Sequence, residues 1–404
     1  MPTYEEARSI ILARVSPLGI ERVALLDSLG MVVAEDIVAP WDMPVYDNSA
    51  MDGFAVRAAD CRESALLRIT GYIPAGGMPS LPVEEGCAIK IMTGAPIPAD
   101  CDAVLPVEET VEKDSQVRIT AKVAAGQHIR LKGEDVRSGE AIIAAGTVVR
   151  PPEISMLASF GKASVPVFRR ARVAILSTGD ELIELGETPE RGKIINSNAL
   201  SLAAAVREAG AIPVILGIAR DNPESHREKM LEGLKADVLI TSAGVSAGDR
   251  DLVRDVLGEL EVAQIFWRVD IKPGGPTAFG MKDGKPVFSL PGNPVSTMVT
   301  FEEFVKPALL KMMGHRRVIK PLVKVILQND ARKKPGKINF LRVRLRYENG
   351  RYLAYSSGDQ NTGILKTMLL ADAIAVLPAD RISFSPGEEL DAHLISGNVD
   401  MLEE

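Results

Sequence analysis

The sequence is poor in the residues that bind transition metals through sulfur or imidazole. It contains three cysteines and four histidines in 404 residues. Cys61, Cys87 and Cys101 are far apart and lack the paired spacing of a zinc site or a disulfide framework. We therefore expect them to be small buried side chains. The histidines are equally dispersed, so any metal here is expected to be bound by oxygen.

The sequence also lacks an excess of basic residues and a long apolar run. Lys and Arg number 47 against 54 Asp and Glu, for a net charge of -7, and no basic block is long enough to neutralise a phosphate backbone. No apolar run approaches the ~20 residues that span a bilayer, and the first residues do not resemble a secretory signal. We expect a cytoplasmic protein that binds neither nucleic acid nor membrane.

Hydrophobic residues make up 46% of the sequence and charged residues 25%, the balance of an ordinary folded protein. The length suits about two to four domains. Thr3 and Glu6 form a capping-box pattern that predicts a helix to about Arg14. A second helix is predicted at 25–29 and a strand at 31–34.

Two regions of the chain, residues 40–146 and 319–404, have a mainly β pattern. Short β-like runs between residues 40 and 146 are interrupted by Gly and Pro, which predicts a β-rich module. A helix is predicted at 153–160, and the residues leave open whether it returns to the first domain. Residues 319–404 alternate again, with a hairpin signal at Asn349-Gly350.

Residues 171–314 alternate between apolar strands and amphipathic helices. The predicted strands are 173–176, 214–218, 238–240 and 287–290. The predicted helices are 198–208, 223–234, one following Asp251, and 295–313. This alternation predicts a mostly parallel, doubly wound sheet.

Polar loops follow the predicted strands of this sheet. They lie at 177–181, 220–222, 242–251 and 290–296. In an open α/β sheet, ligands bind beyond the carboxyl ends of the strands. Glycines with Ser or Thr at a strand-to-helix turn allow backbone N–H groups to face an anion. These loops therefore indicate a phosphate-binding edge.

The same edge carries the carboxylates of Glu181, Asp221, Asp249 and Asp251. These groups would repel a phosphate unless a hard divalent cation lay between them, so the pattern predicts Mg²⁺. Lys272, on a loop bounded by Gly and Pro, adds a point charge that suits phosphate. Together these groups favour cleavage or formation of a phosphate anhydride.

Ordinary turn chemistry explains many of these residues individually. The segment 291–294 is typical of a tight turn before a helix, and Asp180 and Asp221 are typical turn or cap residues. On the residues alone, a turn is also the favoured interpretation around Asp52 and around Thr93. Local turn chemistry does not require carboxylates in several loops at one edge, however, and this repetition favours a site.

Five motifs, in order along the chain, resemble the MoeA and gephyrin E-domain family of molybdopterin molybdenumtransferases. They are DNSAMDGFAV at 47–56, MTGAP at 92–96, GED at 133–135, STGDEL at 177–182 and LPGNPVS at 290–296. The resemblance covers nearly the whole chain, although the C-terminal region matches more loosely.

The resemblance implies a multidomain α/β plus β fold. Its parts are a split N-terminal domain at 1–44 and 145–170, an inserted β-rich domain at 45–144, a doubly wound molybdopterin-binding α/β domain at 171–318, and a C-terminal β-barrel-like domain at 319–404. It also implies a homodimer, with an active cleft between the α/β domain of one subunit and the inserted domain of the other.

The implied reaction inserts molybdate into adenylylated molybdopterin, releases AMP and uses Mg²⁺. Tungstate insertion by the same chemistry is an alternative, because the two oxyanions are nearly equal in size and charge. Adenylylated molybdopterin is the expected ligand. The adenylyltransferase that supplies it and the apo-molybdoenzymes that accept the product are further candidate partners.

The resemblance also implies roles for residues at matching positions. Asp52, Thr93 and Glu181 are expected to act in the metal-transfer step, and Glu181, Asp221 and Asp251 are expected to bind Mg²⁺. The expected substrate-binding residues are Thr178, Gly179, Asp180, Asp221, Ser242, Gly244, Ser246, Lys272, Pro291, Gly292, Asn293, Pro294 and Ser296.

Three positions depart from the family pattern. Ala243 stands where a glycine is usual and adds a methyl group where backbone approaches the ligand. Gly275 stands where many members have a second lysine, so one anion contact is missing or is supplied from elsewhere. Thr362 replaces a common serine and retains the hydroxyl.

Two other functions compete with this assignment. Molybdopterin adenylyltransferase resembles the α/β domain alone, and it would leave the segment 47–53 and the large flanking regions without a role. A non-enzymatic scaffold of the gephyrin kind is not expected, because such a scaffold carries an additional N-terminal domain and a long linker.

Overall fold

The computed structural model describes residues 1–80, 82–244 and 252–395. The chain divides into two compact units. The smaller unit consists of Glu35–Ala145 and Pro151–Ala163, and the larger of Met1–Ala34, Gly146–Arg150 and Ser164–Glu404. The helix Pro151–Ser159 therefore groups with the β-rich segment that precedes it.

The smaller unit contains the β-rich module that the Gly- and Pro-interrupted runs predicted. Its six-stranded sheet has the spatial order Ala103–Pro106, Gly53–Val56, Cys87–Ile91, Leu66–Ile73, Gln116–Ile119 and Thr110–Lys113. Neighbours are antiparallel except for one parallel pair, Leu66–Ile73 with Cys87–Ile91. Two short antiparallel pairs join Asn48–Ser49 to Ile129–Arg130 and Ile37–Val38 to Ala141–Ile143.

All three cysteines belong to this unit, and each is buried with a free thiol. This confirms the expectation that they are packing residues. Burial raises the pKa of the Cys61 thiol to about 11 and that of Cys101 to about 12. Neither forms a reactive thiolate near neutral pH.

The larger unit is built around the predicted doubly wound sheet. Its strands have the spatial order Ile212–Ala219, Arg172–Thr178, Val238–Ser242, Lys285–Leu290, Ala278–Lys282 and Ala263–Phe266. The first four are parallel, so their carboxyl ends meet at one edge. The last two are antiparallel to their neighbours. The sequence did not predict them because neither has a continuous apolar run: Gln264 interrupts one and Gly280 the other.

The helices of this sheet begin within one residue of their predicted starts, and two of them are capped by asparagines. Asn196 accepts the N–H of Ala199 at the start of Ser197–Glu208, and Asn222 accepts the N–H of Ser225 at the start of Pro223–Gly233. A third helix spans Leu252–Glu259.

The prediction of a single helix at 295–313 is wrong between residues 301 and 305. The segment consists of α-helices Pro294–Thr300 and Lys306–Met312 joined by a π-helical turn, Phe301–Val305. Pro307 has no N–H to donate to the carbonyl of Glu303, so the regular α-helical bonding cannot continue through this point.

Near the N-terminus, Tyr4–Arg14 is the helix that the capping box predicted, and both reciprocal hydrogen bonds of the box are present. The helix expected at 25–29 is only a 3₁₀ turn, Leu26–Ser28. The strand expected at 31–34 makes isolated bridges at Val32 and Val33. Both segments are too short to complete a regular element.

The C-terminal part closes into a five-stranded barrel. Around the barrel the strands are Ile338–Glu348, Arg351–Ser356, Val323–Leu327, Glu389–Leu394 and Ala373–Leu377, which pairs again with the first. The predicted hairpin turn is confirmed, because Asn349 and Gly350 both have positive φ angles, as a type I′ turn requires. In the described residues, no helix combines the length and apolar character needed to cross a membrane.

Small elements complete the fold. They are strands Ile20–Ala24, Ser164–Phe168, Leu182–Ile183, Ile194–Ile195, Ile271–Lys272, Ala331–Arg332 and Ser383–Phe384, helix Lys366–Leu369, and 3₁₀ turns Ala58–Asp60 and Val107–Glu109. One hydrophobic core joins the N-terminal helix, the sheet and the barrel, with Ile11, Phe288, Phe304 and Phe340 among its buried side chains. The barrel is therefore packed against the α/β layer through apolar contacts.

Candidate active site

A pocket of about 860 Å³ lies at the carboxyl edge of the four parallel strands. Loops from all four strands contribute to it, as the strand order requires. The predicted residues that line it are Thr178, Gly179, Glu181, Asp221, Ser242, Gly244, Pro291, Gly292, Asn293 and Pro294. The predicted site residues Ser246 and Asp251 lie outside the described residues, as does Asp249.

The first two loops of this pocket are locked together by their aspartates. The N–H of Asp180 donates to Asp221 Oδ2 at 3.2 Å, and the N–H of Asp221 donates to Asp180 Oδ1 at 3.3 Å. Lys193 Nζ also donates to the carbonyl of Asp180 at 2.7 Å. Asp180 thus positions Asp221, and its own side chain is engaged with the neighbouring backbone.

Gly179 allows Glu181 to face the pocket. Its φ is 135°, and a Cβ at this position would lie 2.2 Å from Glu181 Oε2. The carboxylate therefore occupies space that only a glycine leaves open. Both Glu181 and Asp221 are exposed, so their oxygens are accessible to a ligand.

Asn198 joins the other two loops. Its Nδ2 donates to Ser242 Oγ at 2.9 Å and to the carbonyl of Gly292 at 2.7 Å. Asn196, two residues earlier, accepts from Ser177 Oγ at 2.8 Å. The sequence does not indicate either asparagine as a site residue, because Asn196 is explained as the N-cap of Ser197–Glu208 and Asn198 as part of its first turn.

Replacement of Asn198 by alanine is expected to loosen the pocket without unfolding the protein. The variant loses two hydrogen bonds between loops, and we expect its affinity for the ligand that the family resemblance implies, adenylylated molybdopterin, to fall roughly 10-fold. Quenching of pterin fluorescence would measure this affinity. Ser201→Ala, which removes a hydroxyl from the same helix, is the control, and equal affinities for the two variants would contradict the role of Asn198.

The donor set of the pocket suits a hard cation. Glu181 and Asp221 supply carboxylate oxygens beside amide-rich loops, and Mg²⁺ is commonly held by one or two carboxylates together with phosphate oxygens. Across residues 1–80, 82–244 and 252–395, no group of three or more His, Cys, Asp and Glu side chains is close enough to hold a metal.

A second pocket, of about 510 Å³, adjoins the first and shares Pro276 and Asn293 with it. The predicted residues Lys272, Asn293 and Ser296 line it. Asn293 Nδ2 donates to Thr362 Oγ1 of the barrel at 3.2 Å. Its described lining includes lysines but no carboxylate, so the two adjoining pockets carry opposite charge.

The barrel supplies two lysines that no sequence motif indicates, Lys334 and Lys337. They lie more than 60 positions after Lys272 in the sequence, and only the docking of the barrel brings them to this pocket. No local pattern around them indicates a site. We refer to this second cavity, lined by Lys272, Lys334 and Lys337, as the lysine pocket.

Asp52 and Thr93 form a local pair in the smaller unit. Asp52 Oδ1 accepts hydrogen bonds from both the N–H and Oγ1 of Thr93, each at 2.7 Å. These bonds hold the pKa of Asp52 below its ordinary value, so the group is a carboxylate near neutral pH. The next residue, Gly53, packs directly on the backbone, because a Cβ there would lie 1.8 Å from the carbonyl oxygen of Leu105.

Family models match almost the whole chain. The MoeA N-terminal region (domains I and II) matches residues 2–161, a probable molybdopterin-binding domain matches 174–311, and the MoeA C-terminal region (domain IV) matches 324–395.

Similar proteins span the same length. The chain is 36% identical to molybdopterin molybdenumtransferase 2 of Mycobacterium tuberculosis, over 91% of this chain and 93% of that protein. It is 34% identical to the molybdopterin molybdenumtransferase of Haemophilus influenzae, over 96% and 97%. The crystal structure of a MoeA protein from Pyrococcus horikoshii superposes with a TM-score of 0.82 at 32% identity, covering 98% and 100%. The chain therefore belongs to the molybdopterin molybdenumtransferase (MoeA) family and is a transferase of molybdenum cofactor biosynthesis.

Proposed function

We propose that this protein inserts molybdate into adenylylated molybdopterin, in a Mg²⁺-dependent reaction that releases AMP. The observation that supports this most directly is the pair of adjoining pockets of opposite charge, which share Pro276 and Asn293. A nucleotide-activated pterin and a free oxyanion are both anionic, and separate pockets allow them to bind side by side.

The acidic pocket suits the phosphate end of the pterin substrate. Glu181 and Asp221 would hold Mg²⁺, with Asp251 proposed as a further ligand. The ion, when bound, supplies the charge that neutralises the phosphate oxygens. Thr178, Gly179, Ser242 and the 291–294 turn would orient the substrate, because their polar groups line the same cavity. Ser246 belongs to the same proposed set.

The lysine pocket suits the oxyanion. Lys272 supplies a fixed positive charge, and Asn293 and Ser296 supply polar groups beside it. A dianion would be repelled by Glu181 and Asp221 unless Mg²⁺ were present, so it is expected to enter through the lysine side. Tungstate has the same charge and is expected to compete with molybdate at this pocket.

Asp52 and Thr93 are proposed to act in the transfer of the metal. The ionised carboxylate of Asp52 is held by Thr93 and can accept a proton or contact an oxo ligand. We also propose that the protein is a homodimer, and that it has the four-domain division at 1–44 with 145–170, 45–144, 171–318 and 319–404.

The test is to incubate the purified protein with adenylylated molybdopterin, molybdate and Mg²⁺, and to follow AMP release and molybdenum cofactor formation together. We expect both to require Mg²⁺ and the oxyanion. AMP release without cofactor formation would contradict metal insertion. Formation of adenylylated molybdopterin from molybdopterin and ATP would instead identify an adenylyltransferase.

A further inference from the structure

Ala243 has a backbone conformation that alanine rarely adopts, and it lies in the lining of the first pocket. Its φ is 78°, in the left-handed region, where a Cβ crowds the backbone. The other non-glycine residues with positive φ in the described chain all carry polar side chains, which can form compensating hydrogen bonds. A methyl group cannot do so. Glycine would adopt this φ without strain, so the methyl group of Ala243 is present at a cost to stability.

We propose that Ala243 is a specificity-determining residue, and that its methyl group packs against the pterin ring of the substrate. This inference rests on the proposed function, in that it takes a pterin joined to a phosphate group to be the ligand. Strained residues are concentrated at ligand sites, where the surrounding structure maintains their conformation. The pocket loops around Ala243 maintain it in this way.

Two neighbours hold Ala243 in its strained conformation. Its N–H donates to the carbonyl of Leu290 at 3.1 Å, so this N–H is already engaged. Gly292 leaves room for the methyl group, because a Cβ on Gly292 would lie only 3.0 Å from the Cβ of Ala243. Ala243 itself is partly exposed. The contact that it can add to a ligand, compared with glycine, is therefore an apolar one.

The pocket has an acidic side and an uncharged side, in the order of the strands that lead to it. The first two of the four parallel strands, in spatial order, lead to Asp221 and Glu181. The other two lead to residues 242–244 and 291–294, which carry no charged side chain. Neighbouring strands lie about 4.8 Å apart, so the two sides are separated by roughly 5 to 10 Å. A phosphate on the acidic side and a ring on the uncharged side fit this spacing.

The uncharged side suits a flat heterocycle better than a phosphate. Val253 packs against the same loop, since a Cβ on Gly244 would lie 2.2 Å from Val253 Cγ2. Asn293 and Pro276 line both this pocket and the lysine pocket. Because the metal is transferred to the pterin, the pterin must lie next to the oxyanion. The ring that contacts Ala243 is therefore the pterin and not the adenine.

The experiment compares Ala243→Gly with Ser64→Gly, which makes a matched change at a positive φ outside the lining of both pockets. Fluorescence quenching gives the affinity for 6-hydroxymethylpterin, a pterin without phosphate, and calorimetric titration gives the affinity for AMP. We expect Ala243→Gly to bind the pterin about 5- to 20-fold more weakly, because it loses an apolar contact. Its affinity for AMP should stay within about twofold, and Ser64→Gly should bind both ligands normally.

Thermal stability distinguishes a ligand contact from ordinary packing. Ala243→Gly relieves the strain of the left-handed conformation, so its melting temperature should equal or exceed that of the wild type, although it binds the pterin less well. Truncation of a residue that only packs the loops together would instead lower the melting temperature. The KM for adenylylated molybdopterin should rise together with the loss of pterin affinity.

Several results would overturn the inference. If Ala243→Gly bound the pterin within about twofold of the wild type, the methyl group would make no contact with it. Selective loss of AMP binding would place the adenine there instead. Equal losses for both ligands, or a lower melting temperature, would assign Ala243 a structural role.

Failure of this inference is distinct from failure of the proposed function, because the binding measurements require no turnover. If pterin affinity depends on Ala243 but the wild-type protein transfers no molybdenum to the pterin, the inference stands and the proposed reaction is overturned.

Discussion

Glu181→Gln is expected to reduce the rate of the proposed Mg²⁺-dependent AMP release about 100- to 1000-fold, the range seen when a group that stabilises charge in a reaction is removed. Glutamine has the shape of glutamate and lacks its charge, so the side chain can still fill the space above Gly179. The loss therefore reflects the missing charge. Both AMP release and the Mg²⁺ concentration that gives half-maximal rate would be measured.

Glu190→Gln is the matched control, because it removes an exposed carboxylate from the same region without touching the pocket lining. We expect a normal rate for it. If Glu181→Gln keeps a normal rate and an unchanged Mg²⁺ requirement, Glu181 neither holds the ion nor takes part in the transfer. A lower rate that higher Mg²⁺ restores would assign Glu181 to metal binding alone.

The sheet edge could be predicted from the sequence because the signals that define it are local. Apolar runs mark the four parallel strands, and Asn222 marks a helix start by its own side chain. The strand order then brings the polar loops together, since parallel strands end at one edge. Glu181 and Asp221 line one pocket for this reason.

The lysine pocket could not be predicted in the same way. Lys334 and Lys337 reach it through the pairing of Ile271–Lys272 with a barrel strand, a contact between segments distant in the sequence. Turn patterns and hydrophobic periodicity involve only residues close together in the sequence, so neither indicates such a contact. The roles of Asp251 and Ser246 remain predictions, because both lie outside the described residues.

The second large effect concerns a buried cluster outside the lining of both pockets. Glu303, on the π-helical turn, accepts a hydrogen bond from the hydroxyl of Tyr4 and lies near His393 of the barrel, with 3.4 Å between His393 Nδ1 and Glu303 Oε1. Burial raises the pKa of Glu303 to about 7. Burial, with the positive potential of Arg8 and Lys320, lowers the pKa of His393 to about 4. Near neutral pH this contact is therefore not an ion pair, because the histidine is uncharged.

These two pKa changes act on stability in opposite directions. Glu303 binds a proton more tightly in the folded state, so its contribution is complete below about pH 4.5 and is lost as the pH rises to about 7. His393 binds a proton less tightly when folded, so its contribution grows between about pH 4 and 6.5. In the wild-type protein the contributions of Glu303 and His393 largely cancel. This cluster should therefore change the free energy of unfolding little between pH 4.5 and 6.5.

Each single substitution should reveal the pH dependence that the other group contributes to stability. In Glu303→Gln, His393 is the only group of the pair that still titrates. We therefore expect the free energy of unfolding to rise by about 3 kcal/mol from pH 4 to 6.5 relative to the wild-type profile. In His393→Gln, Glu303 is the only group of the pair that still titrates. We therefore expect the free energy of unfolding to fall by a similar amount from pH 4.5 to 7. Urea unfolding at several pH values would measure both profiles. Parallel profiles for the two variants would show that neither group has a displaced pKa. The neighbouring charges of Glu302 and Asp391 also face His393, but both variants retain them, so they cannot produce slopes of opposite sign.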